Sequence, residues 1–160
     1  MFSIFNTETF VNHWSDKLAT IAITAWVGAL WSIGYLAAPT LFNALQDRSV
    51  AGMLAGKMFS LVAYVGITCG FYLLIQRLVM NGASALKQGF FWIVLLMLLL
   101  ALAGHFGIGS LLAGLKAQAM PTDVMQSVFS SKFKVWHGVA SIAYLIESLL
   151  GVFLVLKPGR

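Results

Sequence analysis

The sequence predicts an all-α integral membrane protein, a four-helix bundle, on three observations. Of 160 residues, 60% are hydrophobic and only 9% charged, against about 45–50% and 25% in soluble domains. The apolar residues fall in long runs, unlike the alternating ten-residue pieces of a transmembrane barrel. Four runs stand out, at 18–38, 58–75, 90–115 and 136–156, each near the ~20 residues that cross a bilayer as a helix. A water-soluble monomer is excluded, because 10 Lys and Arg plus 5 Asp and Glu cannot cover a core of this size.

Residues 1–17 scatter Phe2, Ile4, Phe5, Phe10, Val11 and Trp14 among polar side chains, the pattern of a short amphipathic segment lying in the interface. Glu8, Asp16 and the long apolar run that follows differ from a secretory signal, so the first span is expected to act as its own insertion signal. The connection 39–57 reads as partly helical, with Asp47 or Ser49 as cap and Val50, Met53 and Leu54 on one side. The second span is short and ends in a tight loop, 76–89, marked by Asn81-Gly82. The third is long enough to tilt. In 117–135, Pro121 or Thr122 opens a segment presenting Val124, Met125, Val128 and Phe129. The two longer connections, between spans one and two and between three and four, are therefore expected to form amphipathic loop helices, a lid on one membrane face. Residues 1–160 read as a single domain.

The net charge of +5 does not indicate nucleic acid, because the cations sit singly between apolar runs with no aromatic-studded basic patch. They read as interfacial anchors. The one cysteine, Cys69, lies inside an apolar run, which leaves neither a disulfide framework nor a CxxC pair. Four spans place both termini on one side. Lys17, Arg77, Lys87, Lys157 and Arg160 flank that side, and Arg48, Lys57, Lys116, Lys132 and Lys134 the other, a tie under the positive-inside rule. Cytoplasmic termini are favoured because the short loop and the C-terminal tail carry cations with no acid beside them.

Helices in lipid associate through small residues and polar contacts. The second span carries Gly66-x-x-x-Gly70, the first Ala25, Gly28, Ala29 and Ser32, and the third Gly104, Gly107 and Gly114. These read as packing faces inside the bundle, with a homodimer through Gly66 and Gly70 as the alternative.

Ionisable groups within hydrocarbon are the default functional candidates, and two qualify. Glu147 lies near the middle of the fourth span and His105 near the middle of the third. From His137, the positions Ser141, Tyr144, Ser148 and Gly151 recur at helical spacing, with Glu147 beside them. The fourth span thus has a polar face expected to point into the bundle. Glu147 is either a neutral carboxyl bonded to a hydroxyl or to His105, or a relay for protons or cations. His105, within Gly104-His105-Phe106-Gly107, is either a satisfied packing residue or, if the protein holds a metal, its ligand. His137 follows Lys132, Lys134 and Trp136 and reads as an interfacial anchor, and His13 reads as a solvent-facing side chain, not a ligand. The seven methionines are scattered, giving little basis for a copper-thioether site. No nucleophile motif, Walker loop, GxGxxG or HExxH occurs.

The run Trp26-Val27-Gly28-Ala29-Leu30-Trp31, followed by Ala37-Ala38-Pro39-Thr40-Leu41-Phe42, resembles the first-span signature of a small four-helix membrane family, domain of unknown function 4149, which is similar to transmembrane protein two-hundred-five. The amphipathic first connection and the segments 133–138 and 144–151 fit the same pattern, so the resemblance covers most of the chain. It implies a bacterial inner-membrane protein with no assigned activity and a proline that ends the first helix. A fainter similarity links the same segments to the copper-resistance D proteins and the four-helix protoporphyrinogen oxidases, which use histidines for copper or haem. Those families place a histidine shortly before the WxG motif, where this chain has Thr20, Ile21, Ala22, Ile23 and Thr24.

The expectation is a non-enzymatic membrane protein with no cofactor, either a scaffold or accessory subunit or a small transporter centred on Glu147. Its partners would be the lipid bilayer and a second copy or a membrane-complex subunit, with no nucleic acid. The alternative is a haem- or copper-binding redox protein using His105.

Overall fold

A computed structural model describes the backbone of residues 4–119 and 128–156, and side chains from Trp14 onward. Among these residues six α-helices follow in order: α1 (Ile4–Trp31), α2 (Ala38–Ala44), α3 (Arg48–Asn81), α4 (Gly89–Leu102), α5 (Ser110–Ala119) and α6 (Ser130–Leu156). The described residues contain no strand. Two π-helical turns, Ser32–Ala37 and Ala103–Gly109, join α1 to α2 and α4 to α5 without interrupting either rod. The described residues therefore form four long apolar rods, Trp14–Ala44, Arg48–Lys87, Gly89–Ala119 and Ser130–Leu156, each long and apolar enough to cross a membrane.

The rods close into a ring in which α1 packs on α3 and α6, and α4 completes it between α3 and α6. Trp26, Leu30, Leu73, Val94, Met97 and Leu154 are the largest fully buried apolar side chains. Leu36, Leu61, Val79 and Ile142 face outward, as expected where the surrounding solvent is lipid. Along α3, Lys57 and Arg77 lie about 30 Å apart at about 1.5 Å per residue, the thickness of the hydrocarbon core. Arg77 sets its guanidinium over the Phe90 ring at 4.5 Å, and the buried Gln76 donates to Ser15 Oγ at 3.0 Å, tying the start of the first rod to the end of the second. The first nine residues of α3 extend past the Lys57 boundary.

The connections differ from the sequence expectation. No separate interfacial helix lies between spans one and two. The segment 39–57 is divided between α2, coaxial with the first span, and the opening of α3. Pro39 does not end the first helix. It occupies the first turn of α2, where its missing N–H and its bulk at the preceding turn fall against the wider π-helical turn. The break comes at 45–47, where Asp47 caps α3 by accepting from the amides of Ser49 at 2.8 Å and Val50 at 3.2 Å. Asn81-Gly82 makes the expected turn, with Gly82 at φ +54°, the left-handed conformation that favours glycine. In the connection between spans three and four, 117–119 prolong α5 and 130–135 open α6. Pro121, Thr122, Val124 and Met125 lie outside the described residues, as do the side chains of 1–13.

Candidate functional site

The fourth span brings Tyr144, Glu147, Ser148 and Gly151 against the first, with Phe59 of the second beside Tyr144 and Met97 of the third beside Gly151. Glu147 is 6% exposed, and its Oε1 accepts from the indole Nε1 of Trp26 at 3.2 Å. Trp26 is 0% exposed. An indole has one donor and no acceptor, so burial requires a partner in the bundle, and Glu147 supplies it. The ring can reach there because α3 offers Gly66, where a Cβ would stand 2.9 Å from Trp26 Cε2 and 3.0 Å from Cδ1. A Cβ on Gly70 would meet Trp26 Cη2 at 3.2 Å and Leu98 Cδ1 at 3.2 Å. The Gly66-x-x-x-Gly70 row is thus filled from within by Trp26 and Leu98, which replaces the reading of it as a homodimer face.

One turn earlier on α6, Tyr144 donates its hydroxyl to the Leu30 carbonyl at 2.6 Å. In a regular α-helix Leu30 would accept from the Gly34 amide. The tyrosine inserts at this step, where the π-helical turn begins, a recognised cause of local helix irregularity. Gly34 makes room: a Cβ there would lie 2.8 Å from the tyrosine oxygen and 2.9 Å from Cζ. Tyr35 at 6.4 Å and Phe59 at 5.2 Å flank the Tyr144 ring. Trp31 donates to the Ser148 carbonyl at 3.4 Å. The Ser148 hydroxyl is buried with no hydrogen-bond partner among the described residues.

The other candidates lie elsewhere. His105 does not share the Glu147 site. It sits in the second π-helical turn, edge-on to Tyr64 at 4.7 Å and to Phe106 at 4.7 Å. No group of three or more His, Cys, Asp or Glu positioned for a metal occurs among the described residues. His137 and Ser141 are exposed, His137 stacked on Phe133 at 5.8 Å and Ser141 donating to the His137 carbonyl at 2.9 Å. The sequence predicts that this polar face points into the bundle along its length, but the bundle covers it only from Tyr144 onward. At Gly28, Gly104 and Gly107 a Cβ would meet nothing within 4 Å, so they are not close-packing glycines. On α1 the buried positions are Ala19, Ile23, Trp26, Val27 and Leu30, and Gly28 faces away from them. Gly151 is a contact glycine, its Cβ position 3.1 Å from Val27 Cγ2.

Sequence reasoning missed Trp26 and Gly34. A signal for Trp26 was present: a tryptophan deep in an apolar run needs an acceptor, and Glu147 is the only carboxylate within the four runs. Gly34 had none, because its role depends on a tyrosine 110 positions away.

Four apolar rods, an interior built on close contacts and a carboxyl bonded to an indole define a polytopic helical-bundle membrane protein. The family model for Domain of unknown function (DUF4149) matches residues 21–121, more than half of the chain. The chain belongs to that family. No curated protein and no solved structure matches it.

Proposed function

We propose that the protein is a non-enzymatic scaffold or accessory subunit of the bacterial inner membrane, with both termini on the cytoplasmic side. One observation carries this reading: six consecutive α6 residues, Lys134, Val135, Trp136, His137, Gly138 and Val139, are all exposed. At about 100° per residue they go round the whole helix, so among the described residues this stretch of α6 has little cover beyond its contact with α5. Val135, Trp136 and Val139 are apolar and Gly138 is small, the composition of a helix-packing surface in lipid. Glu147 supports the same reading, since its bond to a fully buried indole braces the packed half of the bundle. A relay or transport carboxyl needs access to water or a polar pathway.

The test places a photo-crosslinking residue at Val139 and, as a control, at Leu61 on the outward face of α3. A stoichiometric adduct from Val139 alone, retained in Glu147→Gln, is the expected result. No adduct from Val139, or a proton-coupled activity lost in Glu147→Gln with folding intact, overturns the proposal.

A further inference from the structure

We infer that Tyr64 and His105, side by side where α3 meets the second π-helical turn, bind the headgroup of an isoprenoid quinone from the surrounding bilayer. Tyr64 lies seven residues inward of Lys57 along α3, about 10 Å at about 1.5 Å per residue. His105 is edge-on to it at 4.7 Å and shares its depth, so both side chains stand within hydrocarbon. Water is absent there, and each polar group needs a partner of its own. The neighbouring hydroxyls have one: Thr68 donates to the Tyr64 carbonyl at 2.9 Å and Ser110 to the Phe106 carbonyl at 2.6 Å. Among the described residues the His105 imidazole and the Tyr64 hydroxyl make no hydrogen bond. A histidine that serves only packing would be bonded to the backbone or to a neighbour.

Depth and chemistry together fix the class of ligand. A phenol O–H and a neutral imidazole N–H both donate, so the ligand must carry acceptor oxygens and reach this level of the bilayer. Phospholipid ester and phosphate oxygens stay at the interface, outward of Lys57. An isoprenoid quinone dissolves in the hydrocarbon, and its ring carbonyls accept. The surface also suits a flat ring. Phe106, exposed, is edge-on to His105 at 4.7 Å on the side away from the chain's own core, and Tyr64 is exposed as well. Aromatic rings pack favourably on one another, edge-on or offset. Gly104 and Gly107, on either side of His105 in the chain, put no side chain in the way, and a Cβ at either would meet nothing within 4 Å. The π-helical turn that carries His105 is a feature frequent at functional sites. The inference is independent of the partner surface on α6.

The test is infrared spectroscopy of the full chain in phosphatidylcholine nanodiscs, titrated with a ubiquinone isotopically labelled at its ring carbonyl carbons. The expected result is a hydrogen-bonded carbonyl band below the frequency of the free quinone, saturating at one quinone per chain. His105→Leu and Tyr64→Phe should each raise the half-saturating concentration about fivefold, the equivalent of about 1 kcal/mol for one hydrogen bond. Both variants should melt with the parent or above it, because each removes a polar group that the bundle does not satisfy. No shifted band from the parent, or the same titration in both folded variants, overturns the site. A His105→Leu protein that melts below the parent shows that the imidazole is held inside the bundle and overturns the proposal. A stoichiometric dimer that His105→Leu dissolves, with no quinone band, assigns the pair to a second copy of the chain and overturns the ligand.

Discussion

Replacing Gly66 with alanine tests the core of the structural argument with a single methyl group. The new Cβ would stand 2.9 Å from Trp26 Cε2 and 3.0 Å from Cδ1, closer than carbon atoms in contact approach. These are ring atoms of a side chain that is 0% exposed, so the ring cannot swing into free space. Overpacking of this kind costs about 1–3 kcal/mol. Displacing the indole also strains or breaks its bond to Glu147, and leaving a buried polar group unpaired costs about 1–3 kcal/mol more. A combined loss near 3 kcal/mol corresponds to a fall in Tm of roughly 6–12 °C for a chain of this size. The control is Gly28→Ala, where nothing lies within 4 Å and alanine is the better helix former by about 0.8–1.0 kcal/mol. Both variants would be melted in the same detergent and followed by near-ultraviolet circular dichroism, which reports the tryptophan environment. A Gly66→Ala protein that melts with the parent, or a Gly28→Ala protein that falls as far as Gly66→Ala, would refute the reasoning.

Gly34→Ala should behave like Gly66→Ala, costing about 1–3 kcal/mol because its Cβ would lie 2.8 Å from the Tyr144 oxygen; a melting curve unchanged from the parent would contradict this. Tyr144→Phe removes the donor to the Leu30 carbonyl and should cost about 0.5–1.5 kcal/mol, with faster amide exchange at Gly34 as its local signature. Asp47→Ala removes both side-chain bonds of the α3 cap and should cost about 1 kcal/mol, with increased exchange confined to residues 49–51. Uniform loss of protection along α3 would show that the cap matters for more than the first turn.

The features that were legible in the sequence are those whose cause is local. Four rods follow from run length, because a bilayer requires each crossing segment to satisfy its own backbone. Asp47 and Asn81-Gly82 could be placed because a carboxylate that accepts helix amides and a glycine at positive φ act within a few residues of their position. The connection 39–57 misled because Pro39 signals a helix end only when the preceding turn is regular, and here that turn is π-helical. Spacing along α6 gave the angular position of Glu147, Tyr144 and Ser148 but not the neighbour each would meet. The partners Trp26 and Leu30 lie more than a hundred residues earlier. Glycines show the same limit. Gly28 and Gly66 are alike as letters, and only the arrival of a tryptophan ring distinguishes them.

The bonds between α1 and α6 also explain why the bundle is tight in one part and open in another. Trp26 to Glu147, Trp31 to the Ser148 carbonyl and Tyr144 to the Leu30 carbonyl all join these two helices. Polar ties and small-residue contacts hold helices together in lipid, where apolar area alone gives no preference for a neighbouring helix. The α1 to α6 seam is rich in such ties between 26 and 34 and between 144 and 151, with Gly34 and Gly151 allowing close approach on either side. Towards the start of α6 these ties end. The buried residues of α2, α5 and the opening of α3 are Ala38, Ala119, Ala51 and Ala55, while Lys134–Val139 of α6 are exposed. Tyr144, held at its hydroxyl by the backbone of the first span, is the first α6 side chain anchored in this seam.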